Sequence, residues 1–248
     1  MLIKVRFAPV SRYDKERLSV KPIHEKDVFG MEGCGIIEEV GPGVDQALKG
    51  KKCAFCRGAW QQYTIQDAKC LLLFNDDVDL KKCASSMINP LTALCFKFRL
   101  LDEGAKNFVF HGAGTNLGRM FLKIAKSKGL EGISITKTED EAIALKKDLG
   151  LKNIFCHDNS DSFWKSYLSL IDEMKPFCFI DLCGSEWSGR LFSCMPRGSH
   201  MLLAGNVEGA DLKISSKEFY MHNKKIRGFD LESYVMDELD EERRKQMF

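Results

Sequence analysis

Residues 107–120 read NFVFHGAGTNLGRM, and this stretch decides the fold. NFVFH is an apolar run typical of a strand, GAGT is a turn of small residues, and NLGRM begins a periodic segment typical of a helix. Strand-like and helix-like segments continue to alternate after it. In order they are NLGRMFLKIAKSKG, GISIT, EDEAIALKKDLG, NIFCH, DSFWKSYLSLIDEM, FCFIDLC, residues 187–194 and HMLLAGN. Such alternation, with strands apolar on both faces, predicts an α/β fold with a parallel sheet covered by helices.

The sequence before residue 80 has a different pattern of predicted secondary structure. Short β-type runs follow one another there: LIKVRFAPV, CGIIEEVG, KKCAFC and AWQQYTI. Gly41, Pro42 and Gly43 predict a tight turn between two of these strands. The region is therefore expected to be a small barrel-like unit. Residues 80–101 have the spacing of a largely buried helix, which we expect to be interrupted at Pro90.

Composition excludes several classes of function. The 37 basic and 35 acidic residues give a formal charge of +2, so no global charge favours nucleic acid or membrane surfaces. No apolar run reaches the roughly 18–20 residues that span a bilayer. The start, MLIKVRFAPV, alternates as a strand does and is neither a secretory signal nor a transit peptide. Any organelle presequence would have to lie outside this sequence.

Ten cysteines are scattered along the chain, mostly inside apolar runs. This placement favours buried free thiols in a reducing compartment. Cys53 and Cys56 form a C-x-x-C, but no second pair follows, and strand side chains alternate in direction. We therefore favour free thiols over a zinc or redox site there.

The turn in residues 112–118 is interpreted as a phosphate-binding turn. Its glycines follow G-x-G-x-x-x-G, one residue longer than the usual dinucleotide fingerprint, so its context carries the prediction. Gly112 and Gly114 supply the turn, and Gly118 allows close approach of helix and strand. A pyrophosphate would rest on backbone N–H groups at the helix N-terminus, beside Thr115 and Asn116.

The end of the second parallel strand discriminates between the two nicotinamide cofactors. NAD sites place an acidic residue there for the ribose 2′-OH, whereas this chain has Thr136, Lys137 and Thr138. A lysine suits a 2′-phosphate by charge and hydrogen bonding. We therefore favour NADPH over NADH, the simpler alternative being a solvated loop lysine.

The ordered set of motifs resembles the medium-chain dehydrogenase/reductase superfamily, in its zinc-free branch of quinone oxidoreductases and mitochondrial trans-2-enoyl-CoA reductases. Four stretches carry the resemblance: KVRFAPVSRYD, GMEGCGIIEEVGPGV, residues 58–96 with their Gly-x-Trp strand pair and Asn-Pro-x-Thr-Ala helix, and KKIRGFDLESY. The resemblance implies a GroES-like β-rich domain over residues 1–88 and a Rossmann NADP-binding domain over 89–230. Residues 231–248 would be a charged helix that starts the return to the first domain or is truncated.

The resemblance also implies site residues. Thr92 would lie beside the nicotinamide, with Asn89 of the same motif as a further catalytic candidate. Implied cofactor-binding residues are Gly112, Gly114, Thr115, Asn116, Gly118, Lys137, Cys183, Gly184, Gly205 and Asn206. Of these, Cys183 and Gly184 would border the cofactor after the fourth strand, and Gly205 and Asn206 would face the nicotinamide ribose.

The chain departs from the family pattern on the metal and substrate sides. Zinc-dependent relatives have Gly-His-Glu where this chain has Gly30-Met31-Glu32, and a cysteine near Ser11, so we expect no metal. Enoyl reductases of the family use a tyrosine where Ser19 stands, in KERLSVKPIHEKD, which leaves Tyr13 as the candidate substitute. Asp230 stands where the family has an aromatic residue in the acyl pocket, and a buried carboxylate there would be costly.

Two functions follow from these observations. One is an NADPH-dependent reductase of an enoyl thioester, a quinone or a related enone. The alternative is a catalytically impaired reductase fold that binds NADP(H) as a structural subunit of a larger, mitochondrial assembly. A nucleic-acid role has no basic stripe to support it. The resemblance implies a mitochondrial-matrix or cytoplasmic location. It also implies homodimers joined through the HMLLAGN strand or residues 225–228. Because family members are longer, the chain is expected to be either a fragment or a protein with a trimmed barrel.

Overall fold

The computed structural model describes residues 1–20 and 28–247. These residues fall into two compact units. The first is built from Met1–Leu91 together with Leu239–Phe248, and the second from Thr92–Glu238. Within the described residues, no helix is long and apolar enough to cross a membrane.

In its described residues, the first unit contains a five-stranded sheet. Its elements are β1 (Leu2–Phe7), α1 (Arg12–Val20), β2 (Glu32–Glu39), β3 (Lys52–Cys56), β4 (Tyr63–Ile65) and β5 (Leu72–Phe74). The strand order is β4-β1-β2-β3-β5, and every neighbouring pair is antiparallel. Alternate side chains of these strands, among them Ile3, Ile37 and Phe55, form a fully buried core. The predicted β-rich unit is confirmed.

Helix α2 (Ile88–Asp102) begins later than its apolar pattern predicts, because a 3-10 helix at Leu80–Ser85 precedes it. Pro90 does not interrupt α2 as expected. It lies in the first turn, where a missing N–H costs no helical hydrogen bond. The buried Glu32 carboxylate accepts from the backbone N–H groups of Met87 and Ile88, at 3.0 and 2.9 Å. Burial raises the pKa of Glu32, and these two hydrogen bonds oppose that shift.

The second unit alternates strands and helices. After α2 come β6 (Asn107–His111), α3 (Asn116–Ser127), β7 (Glu131–Thr136), α4 (Glu139–Leu149), β8 (Ile154–Cys156), α5 (Asp161–Met174), β9 (Cys178–Asp181), α6 (Glu186–Ser193), β10 (His200–Leu203), α7 (Lys217–Tyr220) and β11 (Lys225–Gly228). In the described residues the sheet has six strands, ordered β11-β10-β9-β6-β7-β8 and all parallel. The predicted parallel sheet covered by helices is confirmed, and it is doubly wound, with its strand order reversing between β6 and β9.

Two buried clusters cover the faces of this sheet. On one face Phe110 of β6 stacks on Phe121 of α3, with ring centroids 4.9 Å apart. On the other face Val109 of β6 packs with Tyr167 of α5 and Phe192 of α6. Because strand side chains alternate, His111 points to the same face as Val109. That orientation brings His111 under helices α5 and α6 at the carboxyl end of β6.

The end of the chain is not the single charged helix predicted for 231–248. It consists of α8 (Leu231–Ser233), a π-helical stretch at Tyr234–Glu238 and α9 (Glu241–Met247). Asp230 is exposed and accepts from Ser233 N at 2.9 Å as the N-cap of α8. A capping carboxylate in water is stabilising, so the expected cost of burying Asp230 does not arise.

Candidate functional site

The turn between β6 and α3 leads directly into the N-terminus of α3. Gly112 has a φ of +94°, and Thr115 caps α3 by accepting from Gly118 N at 3.0 Å. The Thr115 hydroxyl also donates to the Gly112 carbonyl at 2.8 Å, which closes the turn on itself. The N–H groups of Asn116 and Leu117 belong to the first turn, where a helix provides no carbonyl partner. A phosphate is the natural ligand for such groups.

Two glycines of this turn sit where no side chain fits. A Cβ on Gly118 would stand 2.6 Å from the Gly112 carbonyl oxygen and 2.7 Å from that of Ala113. A Cβ on Gly114 would stand 2.2 Å from Cδ of Glu141. The first contact fixes how closely α3 approaches the turn. The second places the Glu141 carboxyl directly over the glycine turn.

Glu141 is held there by a capping box at the start of α4. Its Oε2 accepts from Lys137 N at 3.1 Å, and Thr138 Oγ1 accepts from Glu141 N. Lys137 itself is exposed at the end of β7. The lysine was predicted as a site residue and the glutamate was not, although Thr-x-x-Glu before a helix is the signal for this cap. Lys137 in the loop after β7 and Glu141 on α4 therefore place one charge of each sign after this strand.

Asp181, at the end of β9, organises the neighbouring loop. The residue is fully buried, and its carboxylate accepts from His111 Nδ1 at 3.0 Å and from Ser188 Oγ at 2.9 Å. It also accepts from the backbone N–H groups of Cys183 and Gly184, at 3.1 and 3.0 Å. Through these hydrogen bonds Asp181 connects strand β6, helix α6 and the loop after β9. No motif in the sequence marks Asp181 as part of the site.

The loops after β9 and β10 meet at two glycines. Gly184 has a φ of +60°, and a Cβ on it would stand 2.9 Å from the Gly205 carbonyl oxygen. A Cβ on Gly205 would stand 2.9 Å from the Leu182 carbonyl oxygen. Asn206 follows, and its side chain accepts from Ala210 N at 3.2 Å. The structure therefore brings together Gly184, Gly205 and Asn206 near Cys183, whose pKa burial raises.

The catalytic candidates lie on two helices. Asn89 and Thr92 are one turn apart on α2, where Asn89 is half-buried and Thr92 is buried. Tyr13 lies on α1 with 38% of its surface exposed. Ser19 is also on α1, where its hydroxyl donates to the Lys15 carbonyl at 2.9 Å. Residues 21–27 of the stretch that lacks the family tyrosine lie outside the described residues.

The positions of zinc ligands in zinc-dependent relatives carry a hydrogen-bonded cluster here. Buried Asp14 accepts from Met31 N at 2.8 Å and from the Ser11 backbone N–H at 2.8 Å. The Ser11 hydroxyl donates to the same carboxylate. Serine and methionine are poor zinc ligands, so these residues do not fit a zinc site. All ten cysteines lie in the described part of the chain and are free thiols.

Several known proteins are similar to the chain over most of its length. The mitochondrial enoyl-[acyl-carrier-protein] reductase of Arabidopsis thaliana is 23% identical over 248 residues, covering 94% of this chain and 64% of the relative. The Escherichia coli quinone oxidoreductase, solved with NADPH, superposes with a TM-score of 0.81 at 20% identity, covering 99% of this chain and 76% of that one. Etr1p in complex with NADP and crotonyl-CoA gives 0.79 at 18% identity, covering 99% and 77%.

The chain has the fold of the medium-chain dehydrogenases/reductases. This confirms the resemblance to the quinone oxidoreductases and mitochondrial enoyl reductases, whereas the absence of zinc stays a prediction. No family model matches the chain. It spans less than two thirds of the length of these sequence relatives, between 53% and 64%.

Proposed function

We propose that the chain belongs to an NADPH-dependent reductase that transfers a hydride to the activated double bond of an enoyl thioester or to a quinone. The observation that carries this proposal is the glycine turn at β6–α3, placed where the strand order reverses and next to the Gly184–Gly205 contact. Dinucleotides bind at such a reversal in open parallel sheets. The solved proteins with this fold include complexes with NADPH and with NADP and crotonyl-CoA.

The residues present fit a dinucleotide. Gly112, Gly114 and Gly118 allow the close approach of chain segments that a phosphate-binding turn needs, and the N–H groups of Asn116 and Leu117 would hold the pyrophosphate. Further assignments follow the resemblance: Lys137 for the 2′-phosphate, Cys183 and Gly184 beside the cofactor, and Gly205 with Asn206 for the nicotinamide ribose.

Bound NADPH would supply the hydride, and the protein would orient it toward the acceptor. Thr92 and Asn89 are assigned to holding the nicotinamide, since they share one face of α2. Tyr13 is assigned to proton donation or to positioning the acceptor carbonyl. Orientation of two bound reactants accounts for much of the rate in such a reaction.

The alternative, a catalytically impaired NADP(H)-binding subunit, receives no support from the comparisons, because the relatives found are named as reductases. One experiment separates the two functions. The protein is mixed with NADPH and crotonyl-CoA, a longer 2-enoyl-CoA or a small quinone, and absorbance is followed at the nicotinamide band. We expect acceptor-dependent oxidation. Stabilisation by NADPH without oxidation by any acceptor would contradict the reductase proposal.

The first cofactor prediction concerns Lys137. Lys137→Glu is expected to weaken NADPH binding roughly 30-fold or more, since a charge-assisted hydrogen bond contributes about 1.5–3 kcal/mol and like charge then repels the phosphate. NADH affinity should stay the same or improve. Titration calorimetry with both cofactors measures this. The control is Lys128→Glu, an exposed lysine at the opposite end of α3. Unchanged NADPH affinity in Lys137→Glu would remove Lys137 from the site.

The second cofactor prediction concerns Glu141. Its carboxylate accepts from Lys137 N at 3.1 Å, so its negative charge lies beside the residue assigned to the 2′-phosphate, which only NADPH carries. Glu141→Gln keeps an oxygen for Lys137 N and removes the charge. We expect NADPH to bind roughly 5-fold tighter, about 1 kcal/mol, with little change for NADH. Equal changes for both cofactors would instead assign Glu141 to the pyrophosphate or to shared ribose contacts.

Location and assembly are also part of the proposal. The named mitochondrial relatives favour a mitochondrial location. Two segments were expected to join the sheets of a homodimer, HMLLAGN and residues 225–228. The prediction for HMLLAGN is wrong, because its strand β10 lies inside the described sheet between β9 and β11. Strand β11 lies at the edge of that sheet and remains available for pairing with a second copy.

A further inference from the structure

A cluster of two histidines and a carboxylate lies at the carboxyl edge of the parallel sheet. His111 ends β6, His157 follows β8, and Glu208 lies in the loop after β10. One ligand atom from each lies within 4.8 Å of the other two. The three positions are fixed by the backbone: His157 N donates to the Thr136 carbonyl and Glu208 N to that of Cys183. Folding of the sheet alone thus brings these side chains together.

The orientation of His111 leaves one ring nitrogen for a ligand. Its Nδ1 lies 3.0 Å from Asp181, and an ionised carboxylate only accepts, so Nδ1 carries the proton. Nε2 then presents a lone pair. The residue is 1% exposed, and Nε2 has no hydrogen-bond partner among the described residues. A carboxylate that holds the far nitrogen of a histidine is the usual support of a metal-binding imidazole.

The second histidine shows the same feature. His157 Nε2 is also buried without a hydrogen-bond partner among the described residues. Glu208 Oε1 lies 3.6 Å from it, beyond a normal hydrogen bond. Two ligands of one tetrahedral zinc, with bonds of about 2.1 Å, lie roughly 3.4 Å apart. The Trp187 ring packs on His157 with centroids 4.5 Å apart and fixes its plane.

We propose that His111, His157 and Glu208 form a site for a divalent transition metal of the zinc type, with a fourth position for water. Two imidazoles and one carboxylate are a donor set that zinc accepts, and such a set leaves one position open. The side chains of His157 and Glu208 are 10% and 14% exposed, so an ion can enter from their side. All three ligands belong to the second unit, whereas Ser11 and Met31 belong to the first, and the site does not depend on the proposed reductase activity.

Cobalt and zinc titrations of the full chain test the proposal. After treatment with EDTA and dialysis, Co²⁺ is expected to bind one per chain with a tetrahedral visible spectrum and no thiolate charge-transfer band. Zn²⁺ should displace it and raise the melting temperature, as a ligand of the native state does. His157→Ala and Glu208→Gln should weaken Co²⁺ binding roughly 100-fold, while each keeps its fold in EDTA. The matched control is His222→Ala, which removes an exposed histidine and should leave binding unchanged.

Two results would overturn the site. One is the absence, in the wild-type chain, of both a Co²⁺ spectrum and a Zn²⁺-dependent change in melting temperature. This result can be interpreted without any variant. The other is a Co²⁺ spectrum that persists in His157→Ala, which would assign the bound metal to cysteines elsewhere. Loss of the spectrum in His157→Ala and Glu208→Gln but not in His222→Ala would establish the three ligands as a unit.

Discussion

Asp181→Ala is expected to lower the free energy of unfolding by about 4 kcal/mol, the largest effect of any single side-chain truncation considered for this chain. The carboxylate accepts from His111, Ser188, Cys183 and Gly184 and is itself fully buried. Removing it leaves the Cys183 and Gly184 N–H groups without their acceptor and leaves His111 Nδ1 and Ser188 Oγ to bond each other, at 3.2 Å. Each unsatisfied group costs about 1–3 kcal/mol before relaxation. Water that enters the space left by the carboxylate recovers part of this loss.

Urea unfolding followed by circular dichroism measures this effect, with the slope of the transition checked for two-state behaviour. The control is Asp148→Ala, which removes an exposed carboxylate paired with Arg119 at 3.1 Å. A surface pair of this kind contributes at most about 1 kcal/mol. Ser188→Ala should fall between the two, because it removes one donor and keeps the acceptor. A loss below about 1 kcal/mol for Asp181→Ala would show that the loop after β9 is held by other contacts.

The parallel sheet was predictable because its signals are local. Runs such as NFVFH and FCFID are apolar on both faces, and only burial between helix layers explains such runs. Gly118 was also predictable, since a small residue seven positions after the end of the strand marks the close contact of helix and turn. The start of α2 was not, because it depends on Glu32, a residue 55 positions away that caps Met87. Apolar periodicity carries no information about such a long-range cap.

The charges around the site were only half predictable. Lys137 stands out where an acidic residue is usual, and comparison with a known pattern reveals it. Glu141 lies in TEDEA, which reads as the solvated start of a helix, and its contact with Gly114 depends on how β7 and β6 pair. His111, His157 and Glu208 come from three separate strand ends and share no sequence spacing. Sites assembled from strand ends become visible only when the strand order is known.

Gly118→Ala is expected to reduce NADPH affinity by roughly 100-fold and to lower the free energy of unfolding by about 1–3 kcal/mol. Its Cβ would stand 2.6 and 2.7 Å from two backbone carbonyl oxygens, and neither can rotate away as a side chain could. Helix α3 must therefore move outward, which carries with it the N–H groups of Asn116 and Leu117. Hydrogen bonds to a pyrophosphate weaken steeply when donor and acceptor move apart. The free energy of NADPH binding is therefore expected to change more than the free energy of unfolding.

The measurement is NADPH titration by calorimetry together with thermal unfolding of the free protein. Gly228→Ala is the control, because a Cβ there meets nothing within 4 Å and the residue lies on β11, away from the turn. It should change neither quantity appreciably. If Gly118→Ala lost stability but kept its NADPH affinity, the turn would be a packing feature and the dinucleotide would lie elsewhere on the sheet. If both quantities fell, and Lys137→Glu weakened NADPH alone, the pyrophosphate and the 2′-phosphate would be assigned to adjacent positions along the carboxyl edge of β6 and β7.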